Sequence, residues 1–139
     1  MNAEPLTASD RLEIQELVAR YCWAIDTRDG QGVANTFTPD GFFDGGRRFE
    51  GREQLIGFGR GDHVPPNRPE TAAQHWVTNM VLEGDTTAAT AHSYFVRHSI
   101  IDGTPSVARV GYYVDELVKV DGRWLFKSRT YRDWPPNQR

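Results

Sequence analysis

The second half of the chain consists of β-type segments joined by very short links, and this feature constrains the fold more than any other. Four stretches rich in Val, Thr, Tyr, Trp and Phe cover residues 74–82, 86–101, 106–120 and 123–133. The links contain Gly84, Asp102-Gly103 and Asp121-Gly122, which favour tight hairpin turns. Consecutive strands with such links form an antiparallel meander. Strands of this length must twist and coil, with bulges, so strict alternation cannot assign their faces over the full length.

The first half of the chain begins with a helical pattern. Residues 7–28 carry apolar side chains at the three-and-four spacing of an amphipathic helix. Thr7, with Asp10 three residues later, supplies a capping box at its start. A helix followed by a coiled sheet predicts an α+β domain in which the sheet wraps around that helix.

Between this helix and the sheet, the sequence predicts four short elements and a loop. They are, in order, a short helix through Val33, Ala34 and Phe37, a turn at residues 38–41, a hairpin over residues 42–50, a helix over residues 52–58, and a loop over residues 59–70. The loop holds three prolines and two glycines without periodicity. A loop of this length is typical of a lid or the rim of a pocket.

Asp26 is the exception on the apolar face of the first helix. It follows Cys22 by four residues and Tyr21 by five, where an apolar residue is expected. Because burying an unpaired carboxylate costs roughly several kcal/mol, Asp26 needs a partner. A neutral His75, at the start of the sheet, could donate one N–H to Asp26 and keep its other nitrogen as a general base. A pair that only satisfies its own hydrogen bonds is the alternative interpretation.

Composition favours a single compact domain over residues 1–139. The chain is 38% hydrophobic and 25% charged, which is an ordinary globular balance. Its net charge of −3 gives no reason to expect nucleic acid or an anionic membrane as partner. No apolar run approaches the ~20 residues of a membrane span. The N-terminus has neither the basic start nor the apolar segment of a signal peptide, so a cytoplasmic location is expected.

The histidines do not form a metal-binding pattern. They are His63, His75, His92 and His98, and there is no His-Glu-x-x-His motif or pair of cysteines. The single cysteine, Cys22, lies on the apolar face of the helix and is expected to be a core residue. The sequence also lacks a glycine-rich phosphate loop after a strand. Neither a metal nor a cofactor is therefore expected, and acid–base chemistry remains.

The order of the elements and three motifs resemble the SnoaL-like branch of the nuclear-transport-factor-2-like superfamily over residues 9–134. The motifs are the Tyr-x-x-x-x-Asp end of the first helix, Gln74-His75-Trp76 at the start of the sheet, and the hairpin Asp121-Gly122-Arg123-Trp124. The resemblance implies an α+β cone-shaped roll. In such a roll, the N-terminal helices pack in a strongly curved antiparallel sheet around a central pocket.

Three enzymes of this group are the most similar in motif: scytalone dehydratase, bile-acid 7α-dehydratase and hexachlorocyclohexane dehydrochlorinase. Asp26 and His75 match the Asp–His dyad that all three use for acid–base chemistry. His98 matches a second active-site histidine of scytalone dehydratase. Tyr21 matches an active-site tyrosine of the bile-acid enzyme, and Arg129 matches a pocket arginine of the dehydrochlorinase. The resemblance therefore implies that these five residues are catalytic.

The sequence also departs from scytalone dehydratase. Two tyrosines that activate a carbonyl through water in that enzyme are replaced by Ile25 and Gly45, and its serine and asparagine near the third strand by Gly111 and Tyr113. Scytalone itself is therefore not the expected substrate. Aromatic residues are the candidates for the wall of the substrate pocket, and they are Phe42, Phe58, Trp76, Phe95, Tyr113 and Trp134.

The expected function is a cofactor-independent lyase that acts on a small, mostly apolar cyclic molecule. A polyketide-cyclase or ketosteroid-isomerase-like enzyme is the near alternative, because the same base can generate an enolate. A binding or assembly module without turnover is the alternative from another class. Long strands with many Val, Tyr and Trp residues predict a homo-oligomer, and the related enzymes favour a trimer over a dimer.

Overall fold

Three helices and one six-stranded curved sheet make up the fold in the computed structural model, which describes residues 4–136. The helices are α1 (Ala8–Asp26), α2 (Gly30–Ala34) and α3 (Arg52–Arg60). The strands are β1 (Phe37–Asp44), β2 (Arg48–Glu50), β3 (Ala72–Gly84), β4 (Ala88–Ile101), β5 (Thr104–Val120) and β6 (Arg123–Asp133). The predicted α+β class and the meander of the last four strands are both confirmed.

The sheet has the strand order β2-β1-β6-β5-β4-β3. Strand β1 runs parallel to β6, while every other pair of neighbours is antiparallel. The predicted hairpins form at Asp102-Gly103 and Asp121-Gly122, where all four residues have φ between 51° and 77°. These left-handed conformations are those of the tight turns that Asp-Gly pairs favour. Among residues 4–136, no helix is long and apolar enough to cross a membrane.

The core forms where α1 packs against the concave face of the sheet. Ile14 and Tyr21 of α1 are fully buried there. The Tyr21 ring lies 5.9 Å from the Phe126 ring and 6.2 Å from the Phe37 ring, both in edge-on or nearly edge-on contact. This packing holds the C-terminal half of α1 rigidly against β1 and β6.

The N-terminus of α1 is anchored by Asp10. Its backbone N–H donates to the Thr7 hydroxyl at 3.0 Å, and its carboxylate accepts from the Thr7 N–H at 3.1 Å, which confirms the capping box. The same carboxylate accepts from Lys119 Nζ at 2.8 Å and from Trp124 Nε1 at 3.0 Å. The Lys119 and then the Trp124 hydrogen bond hold the pKa of Asp10 well below its ordinary value. Asp10 therefore fixes α1 to the β5–β6 hairpin.

The prediction for residues 33–41 is wrong in part. The short helix ends at Ala34, and Phe37 begins β1 instead of closing the helix. The expected turn at residues 38–41 is a bulge within β1, because Phe37 pairs with Phe126 while Phe42 already pairs with Ser128. The turn-forming residues therefore act inside a strand, where they take up the extra length.

Candidate active site

A cavity of about 860 Å³ lies between the C-terminal end of α1, the loop after α3 and the concave face of the sheet. Its wall includes Asp26 and His75 together with Tyr21, Phe58 and Phe95. A cavity of this size accommodates a molecule of one or several rings. The chain therefore has room for a small-molecule ligand beside the predicted dyad.

Asp26 and His75 are joined by two hydrogen bonds. Nδ1 of His75 lies 2.5 Å from Oδ1 of Asp26, and the backbone N–H of His75 donates to Oδ2 at 2.9 Å. The two side chains are only 16% and 14% exposed. The predicted hydrogen bond is therefore present, although 49 positions separate the residues. In the neutral ring, the Nδ1 proton points to the carboxylate and Nε2 keeps the lone pair that a general base needs.

The local fold explains this geometry. Asp26 is the last residue of α1, and the buried Tyr21 and Cys22 hold that end of the helix against the sheet. His75 lies near the start of β3, on the inward side of the strand beside Phe95 of β4, with their ring centroids 5.2 Å apart. Because both oxygens of Asp26 bind a single residue, the imidazole is fixed in position as well as in tautomer.

Tyr21 and Tyr113 line the cavity and remain neutral. Burial raises the pKa of Tyr21 above its ordinary value, an effect that Arg129 only partly offsets, and burial raises the pKa of Tyr113 in the same way. A neutral phenol donates a hydrogen bond, and among the described residues the structure shows no acceptor for either hydroxyl. Tyr21 and Tyr113 are therefore available to donate to an oxygen of a bound molecule.

Arg129 does not line the cavity, contrary to the role implied by the resemblance. It is fully buried, with Nε 3.2 Å from Oδ1 of the equally buried Asp115. Its guanidinium carbon lies 3.6 Å from the centre of the Tyr113 ring and 4.5 Å from that of Tyr21. Burial raises the pKa of Asp115 to about 6, an effect that Arg129 opposes. Arg129 therefore supports the two tyrosines from behind and is not placed to contact a ligand.

His98 lies on the wrong face of β4 for the predicted catalytic role. The side chains of Phe95, Arg97 and Ser99 line the cavity, so alternation along the strand turns His98 outward. Its ring packs on Trp76 instead, with a centroid distance of 4.3 Å. The sequence pattern could not decide between the two faces, because a shift of one residue exchanges them.

Of the six aromatic residues predicted for the pocket wall, three line the cavity. Phe58, Phe95 and Tyr113 line the cavity, whereas Phe42, Trp76 and Trp134 do not. Trp76 and Trp134 are 56% and 47% exposed, on the outer face of the sheet and just after β6. In β1 it is Phe43 that faces the cavity, and the Phe42 ring instead lies under the guanidinium of Arg48 at 3.5 Å. Each strand error is again a shift of one residue.

Sequence reasoning missed most of the polar wall of the cavity. Glu70 is held there by Arg97, with an Nη1–Oε2 distance of 2.9 Å, and by Arg68 at 3.1 Å. The further polar residues that line the cavity are Arg28, Arg47, Arg109, His63 and Tyr131. In the sequence, only the long loop over residues 59–70, a predicted rim, indicates this part of the wall. It contributes His63, Arg68 and Glu70. Three of the four positions that depart from scytalone dehydratase, Ile25, Gly45 and Tyr113, also line the cavity, whereas Gly111 does not.

Comparison with known proteins gives a family and a set of similar structures. The profile of the SnoaL-like domain family matches residues 6–130. Among curated proteins, no sequence match is found. Rv3472 from Mycobacterium tuberculosis, described as a protein of unknown function, is 33% identical over 90% of this chain and 72% of its own, with a TM-score of 0.81.

Two further structures share the fold at lower identity. ActVI-ORFA from Streptomyces coelicolor is 22% identical over 91% of this chain and 98% of its own, with a TM-score of 0.79. A candidate scytalone dehydratase from Novosphingobium aromaticivorans is 21% identical over 90% of this chain and 84% of its own, with a TM-score of 0.75. At these identities, the likeness concerns the fold alone.

Proposed function

Because the chain belongs to the SnoaL-like domain family, we propose that it is a cofactor-independent lyase of the dehydratase or dehydrohalogenase type. Its substrate is a small, mostly apolar cyclic molecule. The observation that carries the proposal is the 2.5 Å contact between His75 and Asp26 in the wall of a cavity of about 860 Å³. A buried acid–base pair at an open cavity is typical of an active site.

In the proposed reaction, Nε2 of His75 takes a proton from the carbon atom next to the one that bears the leaving group. The electron pair of that C–H bond forms the new carbon–carbon double bond, and the bond to the leaving group breaks, with its electron pair departing on the leaving group. Asp26 holds the imidazole in the required tautomer and stabilises the imidazolium as it forms. A proton-transfer group in this position typically contributes ~10²–10⁴-fold in rate.

In this mechanism, the tyrosines stabilise the oxygen atom on which negative charge develops. Tyr21 and Tyr113 are neutral phenols in the cavity wall, so either can donate a hydrogen bond to an enolate oxygen or a departing hydroxyl. His98 has no part in this scheme because it faces outward, and Arg129 acts only through the tyrosine rings that it contacts.

A cyclase or isomerase is the second candidate. The same arrangement of a histidine base and two tyrosines could form an enolate and stabilise its oxygen anion. An isomerase would then reprotonate this enolate at another carbon, and a cyclase would use it to close a ring. A binding module would use the same cavity without turnover. The three possibilities differ in their products, so product analysis separates them.

The experiment is a panel of cyclic β-hydroxy ketones and halogenated rings incubated with the protein in D₂O. Mass spectrometry should detect loss of water or hydrogen halide in at least one substrate. His75→Ala should abolish this loss, whereas His92→Ala, at an exposed position of β4 outside the cavity, should leave it unchanged. Deuterium uptake without elimination would favour the isomerase, and full activity in His75→Ala would end the proposal.

The cellular setting of the proposed enzyme is the cytoplasm, and we propose that it works there as a homo-oligomer. A trimer is favoured over a dimer by the resemblance to the dehydratases and the dehydrochlorinase. Light scattering tests the assembly, and cell fractionation tests the location.

A further inference from the structure

The cavity wall carries far more positive charge than the chain as a whole. Among residues 4–136, five arginines line it, and they are Arg28, Arg47, Arg68, Arg97 and Arg109. The only carboxylates of this part of the chain that line it are those of Asp26 and Glu70. The whole chain, in contrast, has a net charge of −3. An excess of positive charge in one concave site of an acidic protein attracts anions into that site.

Both carboxylates of the cavity are already engaged. Asp26 binds His75 through both oxygens, and Glu70 binds Arg97, Arg68 and the Ser99 hydroxyl. Neither is therefore free to neutralise the remaining arginines. Among residues 4–136, Arg28 and Arg47 have no ion-pair partner. Arg109 has only a distant one, with 3.6 Å between its Nε and Oδ1 of Asp133.

Three of the arginines line the cavity together with His63. Nη1 of Arg28 lies 3.4 Å from the Arg60 carbonyl oxygen, Arg47 packs on the Phe49 ring beside His63, and Arg68 follows His63 by five residues in the same loop. We name Arg28, Arg47 and Arg68 the arginine rim. Arg28 follows Asp26 by only two residues, so the rim begins beside the dyad.

An aromatic surface adjoins the arginine rim. The Phe49 ring lies 4.8 Å from the Phe58 ring and 5.2 Å from the His63 ring. Phe43 stacks on Phe58, with a centroid distance of 4.5 Å. The guanidinium carbon of Arg47 lies 4.9 Å from the centre of the Phe49 ring, which ties the rim to this surface. This part of the wall thus combines aromatic side chains with guanidinium groups.

We propose that the arginine rim binds a carboxylate of the substrate while the Phe49 and Phe58 rings contact its ring system. The substrate class is thereby narrowed from mostly apolar rings to aromatic or cyclic carboxylates. This inference rests on the proposed function, because it assigns the substrate of the same cavity. Guanidinium groups suit the task, since they bind carboxylates with two parallel hydrogen bonds and keep their charge at any working pH.

The test compares two probes of the same shape, 1-naphthoate and its neutral amide 1-naphthamide, by isothermal titration calorimetry. Wild-type protein should bind naphthoate about tenfold more tightly than naphthamide at low salt, as weak exposed ion pairs with Arg28 and Arg47 together would give. The preference should shrink in 0.5 M salt, because the rim is exposed to solvent. Arg47→Gln and Arg28→Gln should each reduce it by about two- to fivefold, and the double variant should nearly remove it.

Two controls make the outcome specific. Arg11→Gln, at an exposed arginine of α1 outside the cavity, should keep the full preference. Arg123→Gln, at the exposed start of β6 outside the cavity, should also keep it. If naphthoate binds preferentially but no substrate turns over, the rim stands and the lyase fails. Equal binding of the two probes, absence of binding, or an unchanged preference in the Arg28→Gln/Arg47→Gln variant would overturn the inference.

Discussion

Asp26 uses its two oxygens on one partner, and this has consequences for substitution at the site. One oxygen binds the ring of His75 at Nδ1, and the other accepts the backbone N–H of the same residue. An asparagine has only one acceptor oxygen. Its NH₂ group must therefore face either the backbone N–H, where two donors would meet, or Nδ1, where it would stabilise the wrong tautomer. Asp26→Asn cannot preserve both bonds.

The first prediction is strong non-additivity between the two dyad residues. His75→Ala should abolish nearly all turnover, and Asp26→Asn should cost almost as much, about 10³–10⁴-fold in kcat. The double variant should be scarcely slower than His75→Ala alone, because the residues act as one unit. Steady-state kinetics on a substrate from the panel measures the cycle, with circular dichroism to verify folding. Losses that multiply would show that the residues do not form a dyad.

The second prediction concerns the phenols of the cavity wall. Tyr21→Phe and Tyr113→Phe remove only an oxygen atom and leave the aromatic packing in place. If one hydroxyl holds the developing oxyanion, its loss should lower kcat by about 10²-fold with little change in KM. Tyr112→Phe, on the neighbouring position of β5 that does not line the cavity, is the matched control. Wild-type kcat in both cavity variants would exclude the tyrosines from catalysis.

At the scale of elements, one buried carboxylate links the start of α1 to the hairpin between β5 and β6. Asp10 closes the capping box of α1 and also binds Lys119 of β5 and Trp124 of β6. The opposite end of the same helix carries Asp26. Anchoring of α1 through Asp10 therefore helps to set the position of the dyad, some 16 residues farther along the helix (~24 Å at 1.5 Å per residue).

The third prediction follows from the depressed pKa of Asp10. A carboxyl whose pKa is lower in the folded protein stabilises it above its unfolded pKa of ~4, and this contribution is lost as pH falls toward the folded value. Asp10→Asn should therefore lower the free energy of unfolding by about 2 kcal/mol at pH 7. The difference from wild type should shrink below pH 4. Urea unfolding at pH 7 and pH 3 measures both.

Glu16→Gln provides the control for Asp10. Glu16 lies on the same helix in an exposed pair with Arg20, at 3.1 Å. Because exposed pairs of this kind contribute little, its loss should change stability by less than ~0.5 kcal/mol at either pH. A deficit of Asp10→Asn that stays the same at pH 3 and pH 7 would contradict the assigned cause.

Most elements could be predicted from the sequence, with the start of β1 at Phe37 as an exception, whereas the faces of the strands could not. Asp102-Gly103 and Asp121-Gly122 specify their turns locally, so the meander followed from short stretches of sequence. The face of His98 depends on how β4 pairs with two neighbours that both carry bulges, one near Asn79 of β3, with its φ of 55°, and one between Val107 and Arg109 of β5. A bulge adds one residue and reverses every later face, and nothing local to His98 reveals it.

At the scale of the whole molecule, the dyad was predictable in a way that the arginine rim was not. Asp26 breaks an apolar pattern, so its anomaly can be read from the sequence. Arg28, Arg47 and Arg68 stand in polar stretches where arginine is ordinary, and only the folded chain brings them together. The arginine rim is assembled from turns and loops that are distant in the sequence, so no short stretch of sequence predicts it.

The outer face of the sheet is the other property of the whole molecule. Trp76, Tyr94, Val107 and Val110 are exposed on it, and Trp134 packs on Tyr94 with a centroid distance of 5.2 Å. These side chains lie opposite the cavity face of β3, β4 and β5. Exposure of an apolar surface of this kind to water is unfavourable. Burying it against another copy of the chain would therefore lower the free energy.

The last prediction is therefore that this face mediates self-association. Light scattering at micromolar concentration should give a multiple of the monomer mass of 15.8 kDa, with a trimer favoured over a dimer. Val110→Lys places a charge at an outward position of β5 and should shift the mass toward the monomer, because an unpaired charge is costly to bury in an interface. Leu12→Lys, at an equally exposed apolar position on α1, should leave the assembly intact. A monomeric wild-type protein would contradict self-association. Dissociation by Leu12→Lys but not by Val110→Lys would show that the interface does not lie on the outer face of the sheet.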